Sequence, residues 1–168
     1  DNIDTMYVLY PRIRKIEGLA LGGAAIGRTY KDIPVMRVAE TYLLRAEAYL
    51  KKGGDENLQK AADDINEVRG RAGAKLCSKG DVTLDYILDE RARELLVEEP
   101  RRKTLARMGK LVERTCKYNI RKTTRETIQD YHQWFPIPQS AIDANKGAEL
   151  GQNFGYPGAT DSAIIEVL

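Results

Sequence analysis

The segment Arg37-Val38-Ala39-Glu40-Thr41-Tyr42-Leu43-Leu44-Arg45-Ala46-Glu47-Ala48, carried on by Tyr49-Leu50 and stopped at Gly53-Gly54, sets the architecture of the chain. Met36, Ala39, Tyr42, Leu43, Ala46, Tyr49 and Leu50 recur at intervals of three and four residues, the period of one helix face. A second apolar stripe, Leu58, Ala61, Ala62, Ile65, Val68 and Ala72, follows Asn57, a residue suited to cap a helix start, and ends at Gly73. A short turn separates the two helices, so they are expected to fold back on each other. Ala39, Ala46, Ala61 and Ala62 leave room for close approach, as in tetratricopeptide-type hairpins with their period of about 34 residues.

Downstream, a third helix is expected after Thr83, with Leu84, Ile87, Leu88, Leu95 and Leu96 inside. It should stop before Pro100, because the residue ahead of a proline disfavours helical geometry. A fourth begins there, with Leu105, Met108, Leu111 and Val112 as its stripe. After Tyr118 the chain turns polar. Trp134-Phe135-Pro136-Ile137-Pro138 demands an extended segment, Ser140 is placed to cap a short helical turn, and Gln152-Asn153-Phe154-Gly155-Tyr156-Pro157 has loop composition. Upstream, Tyr7-Val8-Leu9-Tyr10-Pro11 suggests a short strand ahead of a glycine-rich stretch, and residues 163–168 suggest a terminal strand. The fold class expected is mainly α: antiparallel helical hairpins of tetratricopeptide-like type with irregular amino- and carboxy-terminal segments. Residues 1–35 form an irregular or weakly β lead, and residues 36–168 one helical unit with a loop-rich tail.

The composition excludes several functions. With 42% hydrophobic and 31% charged residues, the 168-residue chain matches a globular domain and not a disordered one. Its longest uncharged stretch considered, residues 18–27, is half of the ~20 residues a membrane span requires. The chain opens without a basic segment or an apolar run, so no targeting signal is read in it. His132 is the sole histidine, and Cys77 and Cys116 the only cysteines; neither HExxH nor paired CxxC occurs, so no metal and no cofactor is expected. The thiols are read as free, with a long-range disulfide as the alternative. Gly22-Gly23-Ala24-Ala25-Ile26-Gly27-Arg28-Thr29 approaches a phosphate loop, with arginine in place of lysine, but Pro34 follows too soon for the helix such a loop opens. A nucleotide-binding enzyme is therefore the weakest alternative, and no catalytic residue is assigned.

The net charge of +2 conceals a segregation. Residues 81–99 carry Asp81, Asp85, Asp89, Glu90, Glu94, Glu98 and Glu99, whereas residues 101–125 hold ten cations against the single acid Glu113. Pairing of the two segments as antiparallel neighbours is expected. A basic face free to bind phosphates, anionic polysaccharide or an acidic partner is the alternative, and so small a net charge points to no nucleic-acid partner. Among the nine tyrosines, Tyr42, Tyr49 and Tyr86 lie on helical stripes and belong to the core. Tyr131 and Trp134, in the irregular tail, are the ligand-binding candidates, because such rings stack on sugars while their polar atoms bond hydroxyls.

The residues also resemble, in order, the motifs of the SusD/RagB family of bacterial outer-membrane nutrient-binding lipoproteins. The match runs from Arg37–Ala48 through Ile65-Asn66-Glu67-Val68-Arg69-Gly70-Arg71-Ala72-Gly73 to Glu90-Arg91-Ala92-Arg93-Glu94-Leu95, similar to the family's ERxxEL element. Leu105-Ala106-Arg107-Met108-Gly109 resembles DLxRxG, Phe135-Pro136-Ile137-Pro138 the PIP element, and Gln152-Asn153-Phe154-Gly155-Tyr156 the QNPGY ending. Glu99 stands where the family has glycine, Pro100 follows it, Thr104 replaces aspartate, and Phe154 replaces proline. Glu40, Glu47, Arg69, Arg71, Glu90, Arg91 and Glu94 are expected to tie adjacent helices through charge-assisted hydrogen bonds. The resemblance implies the carboxy-terminal portion of a non-catalytic, lipid-anchored outer-membrane protein that captures glycans for a TonB-dependent transporter, with its anchor outside this chain. The motifs are scaffold motifs, so no family ligand residue carries over. A helical-repeat interaction module remains the alternative.

Overall fold

The computed structural model describes residues 15, 34–147 and 150–159. The strand expected at residues 7–10, the phosphate-type loop at residues 22–29 and the terminal strand at residues 163–168 lie outside the described residues. Those described are mainly α-helical and contain no strand. They fall into two compact units, one within Pro11–Pro100 and one within Arg101–Leu168.

In the first unit, helices α1 (Val38–Lys52) and α2 (Asp55–Arg71) form the expected antiparallel hairpin. Gly53 (φ +72) and Gly54 (φ +87) turn the chain in two residues through backbone angles that side chains with a Cβ rarely adopt. Asn57 is not the cap. Gly54 holds that position, while Asn57 is the third residue of α2 and donates from Nδ2 back to the Gly53 carbonyl at 2.6 Å. Leu43, Ala46, Ala61, Ala62 and Ile65 are fully buried, the alanines lying where the helices approach, and Tyr42, Tyr49 and Tyr86 pack partly buried against this core. Helix α3 (Leu84–Glu94) starts at Thr83, whose hydroxyl accepts the Tyr86 N–H at 3.1 Å, and contributes the buried Ile87 and Leu88.

Helix α3 ends at Glu94, short of the proline that was expected to stop it. Leu95 leaves helical geometry and Val97 takes φ +62. A β-branched residue in the left-handed region costs on the order of 1–3 kcal/mol. The turn is closed by the Glu98 and Glu99 amides, both donating to the Leu95 carbonyl at 3.0 and 2.9 Å. Leu96, expected inside, is consequently exposed.

The second unit is built from short helices: α4 (Arg101–Arg107), α5 (Leu111–Tyr118), α6 (Lys122–Thr127) and α7 (Gln139–Ala144). The single helix expected across Leu105 to Val112 is broken at Gly109 (φ +64), where Lys110 N–H donates to the Leu105 carbonyl at 2.8 Å. Helix α6 forms in the polar stretch for which no helix was expected. Ser140 is not a cap but the second residue of α7, Pro138 occupying the cap position. Thr104, Leu105, Met108, Leu111 and Arg114 are the buried side chains of this unit among the described residues. No described helix is long and apolar enough to cross a membrane.

Candidate functional site

In the first unit the motif residues act as ties. Arg37 reaches Glu94 and Glu98, both at 2.8 Å; Arg69 reaches Glu90 at 2.5 Å; and Arg71 reaches Glu94 at 2.9 Å. Arg91, only 1% exposed, holds Glu40 at 3.1 Å and Glu99 at 2.8 Å. Arg45 grips the buried Asp64 with two hydrogen bonds of 2.6 and 2.8 Å. Arg37 is held above its ordinary value chiefly by its hydrogen bond to Glu94. Burial pushes the Glu98 carboxyl up, but Arg37 and Lys15 outweigh it and hold the group below the usual carboxylate range. The charge pattern suggested residues 101–125 as partners for these acids; the structure supplies Arg37, Arg69 and Arg71 to Glu90, Glu94 and Glu98, because the hairpin brings its arginines alongside α3. Glu47 is buried and pairs with Lys51 one turn along α1.

A side-chain amide completes this scaffold. Asn66 accepts the Cys77 N–H at 2.8 Å and donates to the Cys77 carbonyl at 2.9 Å, while Arg69 Nε donates to the Lys75 carbonyl at 2.6 Å. The loop after α2 is thus bonded as a strand edge would be, by side chains. Both cysteines are free, and burial pushes the Cys77 thiol up.

The second unit repeats the device around the two candidate aromatic residues. Trp134 has extended backbone, and Pro136 and Pro138 lack the N–H groups that a sheet partner would need. Gln152 accepts the Ile137 N–H at 2.7 Å and donates to the Ile137 carbonyl at 2.8 Å. Asn153 Nδ2 donates to the Phe135 carbonyl at 2.7 Å, and the Tyr156 hydroxyl donates to the Trp134 carbonyl at 2.8 Å. Gln, Asn and Tyr of the QNFGY segment therefore each satisfy a backbone group of residues 134–137. Its glycine has a separate role: Gly155 sits at φ +84, and a Cβ there would overlap the Tyr131 side chain. Phe154, in place of proline, leaves the turn formed, with Tyr156 N–H donating to the Asn153 carbonyl at 3.2 Å.

The two candidates differ in placement. Tyr131 is half-buried, its ring edge-to-face with Tyr156 at 5.1 Å and tilted on His132 at 4.3 Å. Trp134 is 41% exposed on a backbone bonded at both its N–H and its carbonyl. Tyr131 supports the segment; Trp134 is presented by it. Two neighbours were not among the sequence candidates. Phe135 is 69% exposed, and the Arg102 guanidinium lies 4.2 Å from its ring centroid while donating to the His132 carbonyl at 2.5 Å. Nothing in a run of cations marks Arg102 apart from its neighbours. Beside it opens a cleft of about 270 Å³ lined by Arg102, Thr124, Thr127, Ile128 and His132. Among the described residues no three His, Cys, Asp or Glu side chains converge as a metal site would require.

The first unit is thus a helical scaffold tied by ion pairs, and the second carries an aromatic segment pinned through its backbone. The chain belongs to the SusD family, whose model matches residues 3–156. It is 37% identical over 129 residues to the starch-binding protein SusD of Bacteroides thetaiotaomicron, an alignment covering 74% of this chain and 22% of that protein. The chain thus spans about a fifth of the length of its curated relative. No solved structure matches it.

Proposed function

We propose that this chain is the carboxy-terminal part of a non-catalytic surface protein that captures glycans and passes them to a TonB-dependent outer-membrane transporter, held at the membrane by a lipid anchor outside the chain. The observation that carries this reading is the 37% identity to a starch-binding protein, spread over 74% of the chain. Within the chain, Trp134 is the residue placed to stack on a sugar face, with Tyr131 fixing the segment that bears it. An aromatic residue on a pinned backbone has less conformational freedom to lose when a sugar docks, which favours binding.

The basic stretch supports the interaction-module alternative less well, because several of its cations are engaged locally. Lys110 pairs with Glu113 at 2.6 Å, and Arg114 and Lys117 lie at 4.7 and 5.0 Å over the Tyr118 ring. Native electrophoresis of the full-length protein through gels containing starch and other polysaccharides tests the proposal, together with recovery of an outer-membrane transporter on the tagged protein. Retardation in a polysaccharide gel and co-recovery are expected. Free migration in every gel with no transporter recovered would sink it.

A further inference from the structure

Arg37, Arg45, Arg69, Arg71, Arg91 and Arg93 each close on a carboxylate. Arg102 does not. It gives one N–H to the His132 carbonyl and rests its guanidinium on Phe135, and no carboxylate of the described residues lies within ion-pair distance. A half-buried arginine held this way keeps guanidinium donors and a full charge for a ligand.

The cleft beside it has complementary chemistry. His132 Nδ1 accepts the Gln129 N–H at 2.8 Å, so the neutral ring carries its proton on Nε2 as a remaining donor. The Thr124 hydroxyl is a further donor. The Thr127 hydroxyl donates to the Thr123 carbonyl at 2.8 Å, which leaves its oxygen as an acceptor. Ile128 adds an apolar wall, and no acidic side chain lines the space. About 270 Å³ is below the ~300–1,000 Å³ of drug-sized pockets and suits one sugar ring. Donors and a cation call for an oxyanion; the apolar wall and a free acceptor suit the face and hydroxyl of the ring that carries it.

We propose that this cleft binds the anionic substituent, carboxylate or sulfate, of an acidic sugar residue, with Arg102 as its anchor. The assignment rests on the glycan-capture reading and narrows it to acidic glycans. Calorimetric titration of the full-length protein with an oligogalacturonate, a sulfated oligoglucan and a neutral oligoglucan tests it. At least one anionic ligand should bind, and the one that does identifies the substituent. Arg102→Gln should weaken that binding roughly tenfold or more, and Thr124→Val roughly threefold. Thr124→Val leaves the Arg102–His132 contact in place, so it carries the test if Trp134 fluorescence shows that Arg102→Gln disturbs the segment. Binding of the neutral ligand alone, or anionic binding untouched by the variants, overturns the acidic-sugar site while glycan capture stands. Binding of none of the three overturns the acidic-sugar site, and free migration in every polysaccharide gel with no transporter recovered removes glycan capture as well.

Discussion

The two units share one device, an amide bonding a backbone edge through Asn66 in the first and Gln152 in the second, but differ in what dominates. Within Pro11–Pro100, a packed apolar face brings helices together and buried or half-buried arginines then find carboxylates across the gap: Arg69 on Glu90, Arg91 on Glu40 and Glu99. Within Arg101–Leu168, helices of six to eight residues bury little, and Gln152, Asn153 and Tyr156 bond directly to the backbone of residues 134–137. Charge pairing suits the first because two helices supply a rigid spacing for long side chains. Neutral amides suit the second because an extended segment offers alternating donors and acceptors but no helix dipole or charge. Removing one member of a buried ion pair strands a charge, whereas removing one amide opens a backbone group that water can reach. The first unit should therefore be brittle and the second locally adjustable.

That contrast can be broken most severely at Arg91. Arg91→Met leaves the Glu99 carboxylate, itself 2% exposed, without its guanidinium partner, and should cost about 3–5 kcal/mol in urea unfolding followed by helix signal. A loss below about 1 kcal/mol would show that these ties are dispensable. Gly155→Ala comes next. The new methyl meets Tyr131 at a positive φ, and the expected cost is about 2–3 kcal/mol, with Trp134, the only tryptophan, reporting the loss of its fixed environment. The helix signal of the first unit should survive in that variant. Gln152→Ala should cost about 1–2 kcal/mol and raise acrylamide quenching of Trp134, since both Ile137 backbone groups lose their partner.

The smallest effect is in acid. Glu98 titrates below its unfolded value of about 4.3, so its contribution is complete above that pH and is lost as pH falls through the lower folded value. Urea midpoints should decline on acidification from about pH 5 to about pH 3, and Glu98→Gln should flatten that decline. Identical slopes for variant and parent would mean that Arg37 and Lys15 do not act on Glu98 in the folded protein.

Much of the helical architecture was legible because apolar period and glycine stops are local signals. The α1–α2 hairpin follows from stripes at three and four residues and from Gly53-Gly54. The ties of Arg69, Arg71, Glu90, Arg91 and Glu94 were legible as a set, since charged residues on inward faces require partners. Other features escaped. The early end of α3 depends on Val97 accepting a left-handed angle so that Glu98 and Glu99 can turn back, a balance that no local propensity favours. Gly109 was visible only as part of a motif, not as the break between α4 and α5. Of the candidate residues, Trp134 is 41% exposed, while Tyr131 packs against Gly155, Tyr156 and His132, a difference that the shared tail position of the two in the sequence does not reveal.

The sequence by itself determined a mainly helical chain, its hairpin and its family, because periodicity and ordered motifs survive without coordinates. Only the tertiary structure decided which partners the charges take, what the QNFGY segment grips, and that Arg102 lies beside a cleft with no carboxylate to hold it. Those are matters of side chains far apart in the chain meeting within about 3 Å of one another, and hydrogen-bond geometry at that scale is set by packing and not by composition.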